Sequence, residues 1–138
     1  MQGNVLIVDG NRSLLRRVGG ALKELGLEVA AVRKGCAASL LTLIMEPDVI
    51  VSNLFLKGLG GLALARRLKE RQENDQVLFI AISRKDDGRL DGRARDAGFD
   101  VFLPGRNWEH LIPEIVRDFL YCKALNESLE REMTPSVQ

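Results

Sequence analysis

Residues 47–64, PDVIVSNLFLKGLGGLAL, constrain the fold of this 138-residue chain more than any other stretch. Residues 49–51 form a short apolar run of β-branched side chains, which is typical of a strand covered on both faces. The run ends at Ser52 and Asn53, and three glycines then mark a connection with unusual backbone angles. In open α/β sheets, function collects at the carboxyl ends of such strands, which directs attention to Asn53.

The rest of the chain repeats this alternation of short apolar runs and amphipathic segments. Because the segments alternate regularly and the loops are short, they predict a parallel, doubly wound α/β sheet. The segment 86–98 is the weakest helix, since it contains two interior glycines and few residues to bury, and we expect it to be mobile. Strands are predicted at residues 4–9, 27–32, 49–53, 77–82 and 99–103, and helices at residues 11–26, 36–46, 61–72, 86–98 and from Trp108 onward. In the third helix, the basic side chains expected to point largely outward are Arg66, Arg67, Lys69 and Arg71.

Composition is that of an ordinary soluble globular protein, with 46% hydrophobic and 28% charged residues. The length predicts one domain. The formal net charge of +1 favours neither a nucleic-acid module nor a membrane-surface protein, and no apolar run reaches the length of a membrane span. The amino terminus lacks the basic start and long apolar core of a signal peptide, so we expect a cytoplasmic protein.

Cys36 and Cys122 are far apart in the sequence and lack the spacing of metal ligands. We therefore expect buried or half-buried free thiols. His110 has no neighbouring cysteine or histidine with which to share a metal ion, and a surface position on a helix is expected for it. These residues predict neither a metal site nor a cofactor.

The last helix is longer than one domain needs. Its apolar periodicity continues, more thinly, through Leu125, Leu129 and Met133. We divide the chain into a domain at residues 1–121 and a C-terminal helix extension and tail at residues 122–138. The extension is either a solvated helix held by charge pairs, or a short coiled-coil seam or connector to a partner.

Residues 47–68, PDVIVSNLFLKGLGGLALARRL, resemble the third strand, loop and helix of a bacterial response-regulator receiver (CheY-like) domain. The resemblance covers about residues 4–120. It implies a flavodoxin-like (βα)5 three-layer sandwich with a five-stranded parallel sheet of order 2-1-3-4-5, here followed by an extended C-terminal helix. It also implies a role in two-component or phosphorelay signal transduction. In the family an aspartate ends the third strand and receives a phosphoryl group, and Asn53 occupies that position.

The other pocket positions of the family are only partly retained. The acidic pair that holds a divalent cation after the first strand reads Asp9 and Gly10. The hydroxyl residue that ends the fourth strand aligns with Ser83, and the lysine that ends the fifth strand aligns with Gly105. The resemblance therefore implies a degenerate phosphorylation pocket without catalytic residues or a metal ligand set.

Two chemical arguments agree with this interpretation. The asparagine amide is not a useful nucleophile toward a phosphoryl group. Asp9 alone is a poor site for Mg²⁺, which retains its water shell strongly, and Lys57 and Arg106 would oppose a cation further. We predict a pocket fixed in one state, Mg²⁺ binding that is weak or lost, and no enzymatic activity.

The main hypothesis is thus a pseudo-receiver that acts through contacts with other signalling proteins. In the family, the surface of the fourth helix, fifth strand and fifth helix commonly mediates dimers or partner contacts. A homodimer through that surface or through the C-terminal helix is expected, without direct nucleic-acid or membrane contacts. The candidates on the first surface are Arg93, Arg95, Leu111 and Phe102, the last being the aromatic that swings inward on activation in the family.

Two alternatives stay open. A receiver that still transfers a phosphoryl group would use Ser52, Ser83 or Asp9 as an unusual acceptor and would need a cation that the sequence hardly supports. A flavodoxin-like small-molecule binder would use the glycine loop at residues 58–61, which lacks the ending of a P-loop. The basic residues near the fourth helix predict either a solvated face or a patch for an acidic partner or nucleic acid.

Overall fold

The computed structural model describes residues 1–133, apart from the side chain of Gln72, so the end of the predicted tail at residues 134–138 lies outside the described residues. Five parallel strands form one sheet: β1 (Asn4–Val8), β2 (Glu28–Val32), β3 (Val49–Asn53), β4 (Leu78–Ser83) and β5 (Val101–Pro104). The helices are α1 (Arg12–Glu24), α2 (Gly35–Met45), α3 (Gly61–Lys69), α4 (Leu90–Ala97) and α5 (Leu111–Met133), with a 3₁₀ turn at Gln72–Asn74. The strand order is 2-1-3-4-5, which confirms the predicted flavodoxin-like three-layer fold.

Both faces of the sheet are covered by helices. Val51 belongs to the core on the side of α1 and α5, where it shares a cluster with Ile112. Its neighbour Ile50 points to the other side and shares a cluster with Leu68 of α3. Successive strand residues alternate between faces, so the central strands need apolar residues at every position. This explains the unbroken apolar runs in the sequence.

Gly61 sets the connection between β3 and α3. A Cβ atom added there would collide with the carbonyl oxygen of Asn53 and lie 2.8 Å from the Cα atom of Leu54. The Gly61 N–H donates to the Leu54 carbonyl oxygen at 3.1 Å, which closes the turn. The first turn of α3 therefore lies directly against the end of β3, at a distance that only glycine allows.

An ion pair fixes the loop before α5 against α1. Arg17 Nε and Nη2 donate to Glu109 Oε1 and Oε2 at 2.9 and 3.1 Å. The hydrogen bonds from Arg17 hold the pKa of Glu109 below its ordinary value, because they favour the ionised carboxylate. The same hydrogen bonds raise the pKa of Arg17. The pair therefore helps to set where α5 starts on the sheet.

A second ion pair holds α5 where it passes the amino ends of the strands. Lys123 Nζ donates to Asp48 Oδ1 at 2.8 Å, while Asp48 Oδ2 accepts from the backbone N–H of Asn4 at 2.8 Å. The helix continues without a break across the predicted boundary between residues 121 and 122. From Tyr121 onward it exposes a line of apolar side chains, namely Tyr121, Leu125, Leu129 and Met133.

The helix α4 begins four residues later than the pattern predicted. Gly88 has a φ angle of +76°, which a helix does not tolerate. Asp87 Oδ1 accepts hydrogen bonds from the N–H groups of Arg89 and Leu90 at 2.9 and 3.2 Å, and so satisfies the N–H of the first helical residue. The predicted mobility of this helix stays a prediction.

Three expectations about individual side chains were wrong. Cys36 and Cys122 are free thiols, as predicted, but both are exposed rather than buried. Arg71 does not point outward, because its Nη1 atom donates to Thr42 Oγ1 at 2.9 Å on α2. Lys69 also packs inward, with Nζ 4.4 Å from the ring centroid of Phe79. His110 is exposed as expected, although it lies in the turn before α5.

No helix within residues 1–133 combines the length and the apolar character that a membrane crossing requires.

Gly61→Ala tests the close packing of β3 and α3. The added methyl group is expected to push the two elements apart and to lower the free energy of unfolding by about 1–3 kcal/mol. Gly20→Ala is the matched control, since Gly20 lies exposed within α1 and an added Cβ would meet no atom within 4 Å. That variant is expected to raise the free energy of unfolding by about 0.5–1 kcal/mol. Urea unfolding followed by circular dichroism measures both, and equal effects would contradict the packing role of Gly61.

Candidate functional site

The candidate pocket lies where four parallel strands end. Asp9 directly follows β1, Asn53 ends β3, Ser83 ends β4 and Gly105 directly follows β5. Since β1, β3, β4 and β5 are neighbours in that order, their carboxyl ends meet along one edge of the sheet. The structure thus brings the predicted pocket positions together on one edge, as the strand predictions required.

A hydrogen bond between an amide and a carboxylate forms the centre of the pocket. Asn53 Nδ2 donates to Asp9 Oδ2 at 3.0 Å, and Asn53 Oδ1 accepts from the backbone N–H of Phe55 at 2.8 Å. The second oxygen of Asp9, Oδ1, accepts from the backbone N–H of Asn11 at 2.8 Å. Asp9 is only 4% exposed. Each oxygen of this buried carboxylate accepts one hydrogen bond. The two ends of the Asn53 amide are fixed as well.

Gly10 stands beside Asp9 with open space around it. A Cβ atom added to Gly10 would meet no atom within 4 Å, so the site has room for a side chain that the sequence does not supply. The carbonyl oxygen of Gly10 accepts a hydrogen bond from Arg33 Nε at 3.1 Å. A cationic side chain therefore lies next to this position, where a metal site would need a second acid.

The two serine hydroxyl groups near the pocket are engaged by the backbone. Ser83 is fully buried, and its Oγ donates to the Lys85 carbonyl oxygen at 2.9 Å and accepts from the Lys85 N–H at 3.0 Å. Ser52 Oγ donates to the carbonyl oxygen of Asn53 at 3.0 Å. Each hydroxyl proton is thus used to hold a turn at the end of its strand.

Gly105 ties the end of β5 to the start of α5. Its φ angle is +89°, a left-handed backbone conformation in which any other residue is strained. Its N–H donates to the Ser83 carbonyl oxygen at 2.8 Å, and its own carbonyl oxygen accepts from Trp108 Nε1 at 2.6 Å. A lysine would therefore fit poorly at this position, for a backbone reason that the sequence does not reveal.

The side chains around the pocket do not fit a divalent cation. Mg²⁺ requires several oxygen ligands, usually with one or two carboxylates. Both oxygens of Asp9 already accept N–H groups, and Asn53 presents its donor end to Asp9. Within the described part of the chain, no three His, Cys, Asp or Glu side chains are grouped as metal ligands. Exposed cationic side chains that follow β2 to β5 further disfavour a cation: Arg33, Lys57, Arg84, Lys85 and Arg106.

The predicted partner-binding residues lie on three elements at the β5 edge of the sheet. Arg93 and Arg95 are exposed on α4, and Arg95 Nε donates to Asp91 Oδ1 at 2.7 Å within the same helix. Phe102 of β5 is half-buried and packs on the α4 side, whereas Leu111 packs on the α5 side. The four residues therefore flank one edge of the sheet without forming a single cluster.

Comparison with known proteins identifies similar sequences and folds. Residues 5–114 match the family model described as the response regulator receiver domain. Comparison with curated protein sequences gives no significant match. The signal receiver domain of a signal transduction histidine kinase from Syntrophus aciditrophicus has a TM-score of 0.78 and 24% identity, over 99% of this chain and 97% of that chain.

Two further solved structures support the same fold. The chemotaxis response regulator CheY4 of Vibrio cholerae has a TM-score of 0.78 and 16% identity, over 86% of this chain and 99% of that chain. The signal receiver domain of an HD domain-containing protein from Pseudomonas fluorescens Pf-5 has a TM-score of 0.75 and 21% identity, over 96% of this chain and 93% of that chain. At these identities the likenesses establish the fold alone.

Asn53→Asp tests the electrostatic balance of the pocket. The new carboxylate would replace a donor that lies 3.0 Å from Asp9 Oδ2, so two like charges would meet in a partly buried site. We expect the free energy of unfolding at neutral pH to fall by about 1–3 kcal/mol. The loss should shrink as the pH is lowered from neutral towards about 4, because protonation of one carboxyl group of the pair relieves the repulsion. Urea unfolding across pH measures this, with the exposed Asn107→Asp as the control; a pH-independent loss would exclude charge repulsion as its cause.

Proposed function

The chain belongs to the family of response regulator receiver domains, and we propose that it is a pseudo-receiver, which is not phosphorylated on aspartate and works by binding other proteins. Receiver domains are signalling modules of two-component systems. The observation that carries the proposal is the hydrogen bond from Asn53 to Asp9, because it puts a neutral donor where the family has its nucleophile. An amide nitrogen in that position cannot form the acyl phosphate.

The remaining hydrogen bonds support a pocket that stays in one arrangement. Asn53 is held by Asp9 and Phe55, Ser83 by Lys85, and the Gly105 carbonyl oxygen by the Trp108 indole. Every buried side-chain nitrogen and oxygen of the described residues has a hydrogen-bond partner. Because the polar groups of this pocket already bond to one another, a cation or phosphoryl group would form few additional hydrogen bonds. Such a ligand would therefore supply little free energy to shift the pocket to a second conformation.

The structure gives little support to another phosphoryl acceptor. The hydroxyl groups of Ser52 and Ser83 each donate to a backbone carbonyl oxygen, so phosphorylation of either would break a turn. Asp9 is buried and accepts two hydrogen bonds. The glycine loop at residues 58–61 is also committed, because Gly61 N–H donates to Leu54 and the residue packs on β3. Binding to other proteins is therefore the function that fits best, and it requires no enzymatic activity of this domain.

Two surfaces are offered for these contacts. The first is the β5 edge with Arg93, Arg95, Phe102 and Leu111, which corresponds to the family's surface for dimers and partners. The second is the extension of α5 beyond residue 121, whose exposed apolar side chains favour a partner helix or a second copy. Because α5 is continuous across residues 121 and 122, a partner bound to the extension is rigidly connected to the domain.

Phosphorylation of the wild-type chain tests the proposal directly. After incubation with acetyl phosphate and Mg²⁺, intact-mass measurement is expected to show no added phosphoryl group, since Asn53 offers no carboxylate. The double variant Gly10→Asp/Asn53→Asp is the positive control, because it adds two carboxylates beside Asp9, one of them at Gly10, where a side chain has open space. The double variant is expected to bind Mg²⁺, which would change the fluorescence of Trp108. It is also expected to gain the mass of one phosphoryl group. A phosphoryl group on the wild type, mapped to Ser52, Ser83 or Asp9, would overturn the proposal.

A further inference from the structure

The connections that lead from the strands into the helices carry exposed cationic side chains along the carboxyl edge of the sheet. Each connection, counted to the first residue of the following helix, supplies at least one of them. Because none of the ion pairs within residues 1–133 involves these side chains, their charges face solvent. We call six of them the basic rim: Arg12, Arg33, Lys57, Arg84, Lys85 and Arg106.

The acidic side chains of the same connections are held by groups outside the rim. Asp9 accepts hydrogen bonds from an amide and a backbone N–H, and Glu109 accepts from Arg17. Asp86 and Asp87 precede α4, and their Oδ1 atoms accept from backbone N–H groups of the residues that follow. The connections therefore contain more cationic than acidic side chains, and the acids do not pair with the rim.

Direct contacts join neighbouring connections into one surface. Gly35, two residues after Arg33, packs so closely on the β3–α3 connection that a Cβ atom would collide with the carbonyl oxygen of Leu59. The β3–α3 connection also contacts the next one along the sheet, since Lys85 Nζ lies 4.8 Å from the ring centroid of Phe55. Phe55 is 49% exposed, so the rim includes an apolar surface beside its cations.

Helix dipoles add to the positive charge of the rim. All five helices follow strands of one parallel sheet, so their amino-terminal ends, which carry partial positive charge, lie at this edge. Acidic side chains in the first turn would offset that charge, but α1, α2 and α3 have none there, and α1 begins with Arg12. Since this arrangement opposes helix stability, the fold alone does not account for it.

The amino edge of the sheet has the opposite charge. The connections from the helices back to the strands contain one cationic side chain, that of Arg71, which donates to Thr42 on α2. Exposed acids dominate these connections: Glu46, Glu70, Glu73, Asp75 and Asp100. The formal net charge of +1 therefore conceals one basic edge and one acidic edge.

We propose that the basic rim binds an acidic segment of a partner protein, with Phe55 as the apolar contact within the cationic surface. Five strands that are about 4.8 Å apart make the edge about 20 Å wide, which an extended peptide of about six residues spans. Carboxylates of such a segment would approach several rim cations at once. The positive potential of the rim would also speed the encounter with an acidic partner.

The composition of the rim favours a polypeptide over a nucleic acid. Proteins that bind single strands stack successive bases on several aromatic side chains, whereas the rim connections expose one large aromatic ring, that of Phe55, among the described residues. The rim cations also lie on five separate connections, not along one helix or ribbon that could enter a groove of a duplex. Both features fit an acidic peptide that lies across the edge.

This contact rests on the proposed function, because it assigns a chemistry to one protein partner of the pseudo-receiver. It uses the carboxyl edge of the sheet, whereas the surfaces described above use the β5 edge and the extension of α5. The two proposals fail separately. Absence of peptide binding would leave the expected intact mass unchanged, and a phosphoryl group on the wild type would not remove the rim cations.

Fluorescence anisotropy with an acidic peptide tests the contact. The probe is a fluorescein-labelled peptide of about ten residues that consists of glutamate and two leucines, and the wild type is expected to bind it with an affinity that falls as salt is added. Lys57→Glu/Lys85→Glu is expected to weaken binding at least about tenfold, because it places like charges in the rim. The matched control is Lys23→Glu/Arg67→Glu, which changes the net charge equally at exposed helix positions outside the rim and should alter the affinity less than about twofold. Circular dichroism checks that both double variants are folded.

Further measurements separate the acidic peptide from other ligands. Phe55→Ala is expected to weaken peptide binding at least about threefold, because it removes the apolar contact. No binding of the peptide, equal losses in the two double variants, or equal binding of the same peptide with glutamine in place of glutamate would overturn the proposal. Tighter binding of an oligothymidylate of equal charge would assign the rim to nucleic acid instead. Release of the peptide by inorganic phosphate at the concentration of the peptide would reduce the rim to a simple anion site and would also overturn the proposal.

Discussion

The amide of Asn53 donates a hydrogen bond to the buried carboxylate of Asp9, and the whole edge of the sheet is arranged around this bond. It joins the ends of β1 and β3 directly. A receiver pocket with several acidic side chains must hold mutually repelling charges close together until a cation enters. With Asn53 and Gly10 in place, this pocket avoids that repulsion. The residues that relieve the repulsion, Asn53 and Gly10, are also residues that offer a metal ion no carboxylate oxygen.

Hydrogen bonds also connect the pocket to the start of α5. The Gly105 N–H bonds to the end of β4, and the Gly105 carbonyl oxygen accepts from Trp108, just before α5 begins. Arg17 holds the adjacent Glu109 from the other side. Since Lys123 fixes α5 again near the opposite edge of the sheet, the helix is held at two distant points. The part of α5 that packs on the sheet is therefore tied down at both ends.

The apolar runs located β1, β3 and β4, and parallel strands bring their carboxyl ends to one edge. The strand end pointed to Asn53, while the resemblance to receiver domains assigned Asp9 and Ser83 to the pocket. The sequence did not show that Gly105 has a positive φ angle or that Ser83 closes a turn with Lys85, because both depend on backbone geometry. The environment predicted for Cys36 was also wrong. An apolar helix such as α2 is expected to be buried, and which of its sides faces water is decided by neighbouring elements distant in the sequence.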